Sequence, residues 1–343
     1  MRFNDLVRYS NKLLENSIDE LEIVLIAHVM HPRGHNNPKQ CTCPETEHFS
    51  IQEFNEIYKG VVDAGFFIKK VFFNELDFIQ DLIRTPNNYT ARTIIFNMCR
   101  NGVGANKKTV VPAICDLVGL KYTSSGAGPC ALARNKWLFT SVLEANGIHC
   151  PASGFCIEDL SNRIQQGSKF ICKPNTESAS QGVDETSIIN IDALCTRSKS
   201  NYLIQEYIDG YECEVPIFCC TNRCIAMPCV GISFPSPKQY DILTYQTSLN
   251  NDYNFYNLAD ILGAKIDRVI RDDAQKAFEL LGFQGYGRID FRIDRQTKQH
   301  YVIDVSTTPY ITKHSSFAFS IDQSGGRYED IFRIIFSSIF DRI

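Results

Sequence analysis

Residues 286–316 read YGRIDFRIDRQTKQHYVIDVSTTPYITKHSS. The stretch predicts two short strands, Arg288–Ile293 and His300–Val305, joined by a polar turn at Asp294–Gln299. Side chains alternate along a strand, so Arg288, Asp290 and Arg292 share one face. On the second strand Asp304 and Ser306 share a face, and the apolar Ile303 and Val305 take the other. Carboxylates and a hydroxyl gathered on a sheet face suit Mg²⁺, a hard cation that takes oxygen ligands and bridges carboxylates to nucleotide phosphates. The plain alternative is the polar face of an ordinary hairpin.

Outward from this hairpin, 343 residues suffice for several packed layers and more than one domain. A net charge of -4 and a pI near 6.0 argue against a nucleic-acid protein, whose binding face is strongly basic. No apolar run reaches the length of a membrane span. The start, MRFNDLVRYSNKLLENSIDELE, carries acids throughout and does not read as a signal peptide. The 14 cysteines are scattered without a Cys-x-x-Cys pair and read as reduced, mostly buried apolar residues of a cytoplasmic chain.

The N-terminal third alternates helix and strand. Residues 1–20 suggest a helix, and LEIVLIAHV at 21–29 a strand. Ser50-x-x-Glu53 is a capping-box pattern opening a helix that Gly65 can close, and strands follow at Phe66–Phe73 and Thr93–Met98. Such alternation points to a parallel sheet with helices on both sides. Further strands are expected near Phe170–Pro174, Tyr202–Tyr207, Glu214–Cys220 and Cys224–Ile232. Helices are expected near Asp267–Leu281 and from Arg327. The domain expectation is an α/β unit over 1–122, a central unit over 123–208 and a third over 209–343.

Three blocks precede the hairpin in fixed order: ALARNKWLFTSVLEANGIHCP, ICKPNTESASQGV and YLIQEYIDGYECEV. With it they make the chain resemble the ATP-grasp ligases, and within them the D-alanine–D-alanine ligase branch. The resemblance runs over roughly residues 94–316 and implies an ATP-grasp α/β fold, with ATP and Mg²⁺ between the second and third units. It puts Lys136 and Lys173 on the phosphates, Ser180 and Gly182 in the mobile phosphate loop, Glu206, Tyr207 and Ile208 along adenine, and Glu212 on the ribose. It makes Asp290, Asp304 and Ser306 the metal ligands, and Arg288 and Ser180 catalytic. Substrate contacts fall to Glu47, His48, Tyr245, Arg288, Tyr310, Ser315 and Ser316. The activity implied is ATP-dependent amide formation between small amino-acid-like substrates through an acylphosphate, in the cytoplasm, and a homodimer is compatible with it. The alternatives are D-alanine–D-alanine ligase itself and a nucleotide-binding protein that has lost ligation.

The departures from the family cluster on the substrate side. Asp304 and Ser306 stand where the family has glutamate and asparagine, Tyr310 where it has glycine, and Ala179 where it has a loop serine. Tyr245-Gln246 replaces a Lys-Tyr pair. The segment CRNGVGANKKT is basic, with Arg100, Lys107 and Lys108, where the family is acidic. A basic lining favours a substrate with an extra carboxylate, because an unpaired cation in a closing site is costly; the alternative is that these residues face solvent. The segment from His28 to His48 holds four of the seven histidines with Cys41 and Cys43, in a spacing that matches no zinc motif and reads better as a substrate-covering loop.

Overall fold

The computed structural model describes residues 3–30, 45–160, 168–190, 201–220, 223–235 and 239–341. Strands β1 (Glu22–Ala27), β2 (Phe67–Phe72), β3 (Thr93–Met98) and β4 (Lys121–Tyr122) form a parallel sheet in the order β2-β1-β3-β4. EIVLIA and TIIFNM are apolar almost throughout and almost wholly buried, as parallel strands covered on both faces must be. The helix Ile51–Asp63 opens on the expected capping box: Ser50 Oγ accepts the Glu53 N–H, and the Glu53 carboxylate accepts the Ser50 N–H. The leading helix is shorter than expected and ends at Leu14, before a single 3₁₀ turn.

The central unit is a small antiparallel sheet of β5 (Ser153–Gly154), β6 (Lys169–Pro174), β7 (Ile188–Asn190) and β8 (Tyr202–Glu206) in the order β5-β8-β6-β7. The third sheet contains β9 (Gly210–Cys220), β10 (Arg223–Ala226), β11 (Val230–Ser233), β12 (Asn254–Asn257), β13 (Tyr286–Asp294) and β14 (His300–Ser306). Its path is β12-β11-β9-β13-β14, with β10 also on β9. The expected single strand Cys224–Ile232 is two, interrupted by Met227-Pro228-Cys229, since proline lacks the N–H that a continuing ladder needs. The decisive hairpin forms, and Asp294 Oδ1 closes its turn by accepting the N–H groups of Gln296 and Thr297 at 2.9 and 2.6 Å.

The last helix, Tyr328–Ser337, does not pack with the third unit alone. Phe332 and Phe336 enter the core of the N-terminal sheet, 4.5 Å from Phe66 and 5.1 Å from Phe96 between the closest ring centroids, so both ends of the chain build the first unit. Gly60 permits the approach: a Cβ there would lie 2.2 Å from the Phe332 ring. Among the described residues no helix is long and apolar enough to cross a membrane.

Candidate active site

The register of the third sheet aligns an acidic row. Glu214 on β9 is the cross-strand partner of Asp290 on β13, which in turn faces Asp304 on β14. One step along, Glu212 pairs with Arg292. All five side chains, with Arg288, line a cleft between this sheet and the central one. Arg288 forks onto Asp290 at 2.7 and 2.8 Å and reaches Glu214 at 2.9 Å. Arg292 is buried and donates to Glu212, to the carbonyls of Ile208, Asp241 and Gly210, and to the Tyr207 hydroxyl. Arg288 is thus ion-paired with both Asp290 and Glu214, while Glu212 is held by Arg292.

Lys136 and Lys173 face this row from the opposite wall. Lys136 begins the helix Lys136–Ala145, capped by Asn135, whose Oδ1 accepts the Leu138 N–H at 3.1 Å and an Asn175 amide proton at 3.1 Å. Asn175 also accepts the Trp137 N–H, so one buried amide ties both lysine-bearing segments together. Lys136 Nζ donates to the Glu177 carbonyl and Lys173 Nζ to that of Ile303. Burial, then the neighbouring Lys136 charge, pulls Lys173 down to about 8, against the pull of Asp304, Glu212 and Asp290. Burial works to raise Asp304, but Lys136, Lys173 and the Val305 N–H outweigh it and hold the carboxyl below its usual range. Asp290 is pushed up to about 8 by burial, Glu214 and Asp304 despite Arg288.

The loop Ser178–Gly182 roofs the cleft. Ala179 and Ser180 have positive φ, and Gly182, at φ +74°, leaves no room for a side chain: its Cβ would lie 2.7 Å from Pro174 Cγ. Ser178 donates to Glu47 and Ser248 donates to Ser180 at 3.3 Å, so the loop contacts both the N-terminal unit and the helix Tyr245–Asn250. Ile171, Val183, Tyr207 and Ile242 form an apolar slot at the far end, beside Glu206 and Ile208. Gly182 and Ser306 are outside the lining itself; Ser306 lies opposite Arg288 on β14.

A second chamber adjoins the cleft and shares Ala179, Glu214, Leu243 and Arg288 with it. Of the expected substrate residues, His48, Arg288, Tyr310, Ser315 and Ser316 line it. Ser315 Oγ caps the helix Ser316–Gln323, and the Tyr310 hydroxyl donates to the Thr46 carbonyl at 2.7 Å. Tyr245 and Glu47 do not line it; Ser248, Leu249 and Asn251 do so from the helix that Tyr245 starts. Glu47 is turned into the wall, where burial would raise it but Lys108, Arg134, Arg100 and Lys107 hold it below the usual range.

The basic segment is corrected in the same place. Arg100, Lys107 and Lys108 neither line the chamber nor face solvent. Lys107 pairs with Glu177, Lys108 lies 3.8 Å from Glu47, and Arg100 stacks 3.9 Å over the Tyr310 ring and donates to the Thr308 carbonyl. Their charges answer acids of the protein, which removes the argument for an acidic substrate. His31, His35, Cys41 and Cys43 lie outside the described residues; among the described ones His28 meets Glu75 at 2.9 Å, and no cluster of three His, Cys, Asp or Glu is arranged to hold a metal. Sequence reasoning missed Glu214, Asn175 and Arg134. The spacing Glu212-Cys-Glu214 on a strand was the available signal for the first.

This arrangement, paired lysines and the loop Ser178–Gly182 facing an acidic antiparallel sheet, defines the ATP-grasp class. The family model described as D-ala D-ala ligase C-terminus matches residues 163–337. The chain belongs to that family, an ATP-grasp family of ATP-dependent, ADP-forming ligases that make amide bonds. Among its relatives is the D-alanine–D-alanine ligase of Albidiferax ferrireducens, 26% identical over 229 residues, which are 64% of each chain. That of Xanthomonas axonopodis pv. citri is 28% identical over 247 residues, 69% of this chain and 75% of that one. In fold it is similar to the D-alanine–D-alanine ligase of Bacillus anthracis complexed with ATP, with a TM-score of 0.66 at 19% identity over 93% of this chain and 97% of that one. It is also similar to the VanG D-Ala:D-Ser ligase of Enterococcus faecalis, with a TM-score of 0.63 at 14% identity over 93% and 99%.

Proposed function

We propose that this ligase phosphorylates an amino-acid carboxylate in the region where cleft and chamber meet, and joins the resulting acylphosphate to a second amine in the chamber. The observation that carries the reading is that Arg288, Glu214, Ala179 and Leu243 belong to both walls, so nucleotide and substrates share one continuous site. The adenine enters the slot of Ile171, Val183, Tyr207 and Ile242, Glu212 meets the ribose, and Lys136 and Lys173 take the phosphates. Phosphoryl transfer asks little covalent work of a protein, so these groups act by position and charge. A carboxylate oxygen attacks the γ-phosphorus and ADP leaves. The amine nitrogen then attacks the acyl carbon, phosphate leaves, and the nitrogen gives up a proton.

Arg288, at the junction, stabilises the oxyanion formed in the second step, and Glu214 keeps it oriented there. Ser316, at the positive end of its helix, receives a substrate carboxylate. Asp290 and Asp304, facing carboxylates on the cleft wall, would hold Mg²⁺ once Arg288 releases Asp290, and the ion would supply charge neutralisation on the phosphates. The cytoplasmic location and a homodimer belong to the same reading and rest on likeness to the family.

The test is ADP release from Mg²⁺-ATP across D- and L-amino acids and small acids, with ATP affinity measured in parallel. Amino-acid-dependent ADP release is expected, and Lys173→Ala should weaken ATP binding about ten- to hundredfold, as for loss of a charge-assisted hydrogen bond. Tight ATP binding with no amino acid able to stimulate ADP release would overturn ligation in favour of a nucleotide-binding protein. Unchanged ATP affinity in Lys173→Ala would overturn the phosphate assignment.

A further inference from the structure

Which amine the chamber takes is a separate question, and it rests on the ligase reading above. With Arg100, Lys107 and Lys108 withdrawn into the wall, the lining has an acidic excess. Glu45, Glu53, Glu56 and Glu214 line it against two cations: Arg288, which answers Glu214, and Lys313, whose ammonium lies 6.0 Å over the Tyr328 ring. Glu53 and Glu56 project from successive turns of the helix Ile51–Asp63. Their acceptor capacity is partly used by neutral donors: Glu53 takes the Ser50 N–H at 2.7 Å, and Glu56 the Lys313 N–H at 3.2 Å. Among the described residues neither carboxylate has a cationic side chain within ion-pair distance. Two acids left without countercharge beside a closing site are the counterpart of the unpaired cation that the sequence suggested, with the sign reversed.

Two further observations point to a ligand. Ser316 and Thr46 line this chamber, are 1% and 7% exposed, and their buried hydroxyls have no hydrogen-bond partner among the described residues. Buried hydroxyls are normally satisfied, so both keep hydrogen-bonding capacity that a small side-chain rotation would turn to a polar group bound in the chamber. The same chamber is lined by three rings in mutual contact, Tyr253, Phe255 and His314, with centroids 5.1 to 5.4 Å apart. Tyr253 lies within electrostatic reach of both Glu214 and Glu53, so rings and acids address the same space. Aromatic faces with carboxylates alongside recognise cations. The chamber has a cavity volume of about 560 Å³, enough for a side chain longer than a methyl group.

We propose that the amine substrate is an amino acid with a cationic side chain. Its α-carboxylate meets Ser316 at the helix N-terminus, and its side-chain ammonium or guanidinium lies between Glu53 and Glu56 and the rings of Tyr253 and Phe255. The test compares ornithine, lysine and arginine of both hands with alanine, phenylalanine and aspartate, reading ADP release and the mass of the amide product. At least a tenfold higher kcat/KM for a basic acceptor is expected. Glu53→Gln keeps an acceptor for the Ser50 N–H and Glu56→Gln one for Lys313, so both should fold; each should raise KM for the basic acceptor about tenfold and leave KM for ATP unchanged. A preference for alanine, phenylalanine or aspartate would overturn this assignment and leave the ligase reading intact. Absence of ADP release with every amino acid would overturn both. A basic preference that survives both substitutions unchanged would remove Glu53 and Glu56 as its cause and so overturn the proposed subsite.

Discussion

The cleft and the chamber share a wall but are built on opposite principles. In the cleft the fold satisfies its own charges before any ligand arrives: Arg288 is forked onto Asp290, Arg292 is surrounded by Glu212 and three carbonyls, and Lys173 rests on Ile303. In the chamber two buried hydroxyls are unsatisfied and two carboxylates lack a countercharge among the described residues. Groups paired in the free protein cost stability when cut, whereas groups waiting for a ligand cost only binding. Asp304 and Ser306 aside, the family blocks are kept around the first region and altered around the second, which suits a site where the nucleotide is constant and the amine is particular to this chain.

The sharpest way to break this contrast is Arg292→Ala. Removing one side of a buried ion pair strands the other, and a loss of about 3–5 kcal/mol is expected in the denaturant midpoint. A stability equal to that of the parent would mean the cleft is not prebuilt.

Lys108, in the wall between the two regions, gives an intermediate effect with a definite sign. Burial lowers it to about 7 against the pull of Glu47, with Arg134 and Arg100 adding to the depression and Cys130 opposing it. The unfolded chain therefore holds this proton up to about pH 10.4 while the folded chain releases it near 7. The group's destabilising effect is complete below pH 7 and is relieved as pH rises through that window, by at most about 1.4 kcal/mol per pH unit. Lys108→Met should flatten this rise in urea titrations at pH 7, 8 and 9; an unchanged slope would contradict it.

Ser316→Ala sharpens the comparison from the other side. Deleting an unsatisfied buried hydroxyl should leave the melting midpoint level or slightly higher, within about 1 kcal/mol. The KM of the amino acid should rise several-fold with that of ATP unmoved. A marked loss of stability would place Ser316 among the structural hydroxyls instead.

Much of the cleft was legible because alternation along one strand is local: Arg288, Asp290 and Arg292 had to share a face. The partner strand was not. Glu214 meets Asp290 through a pairing across more than seventy residues, and no short-range pattern announces such a register. The basic segment misled for a related reason. Lys107 finds Glu177 seventy residues away, so charges that looked free in sequence are answered in the fold. Pro228 could have been read as the end of a strand, and the apolar run around it concealed that. The final helix was readable as a helix, but its amphipathic face does not say which sheet it covers.

That helix has a consequence for how the molecule comes into being. Phe332 and Phe336 complete the core begun by Ile23, Phe66 and Phe96. As the chain emerges from the ribosome, the two ATP-side sheets have every strand available by residue 306, while the N-terminal sheet still lacks part of its covering layer. The N-terminal sheet is thus finished only after the two sheets that follow it in sequence. A nascent chain halted after β14 carries a nucleotide cleft beside an N-terminal half whose apolar surface is still open to chaperones.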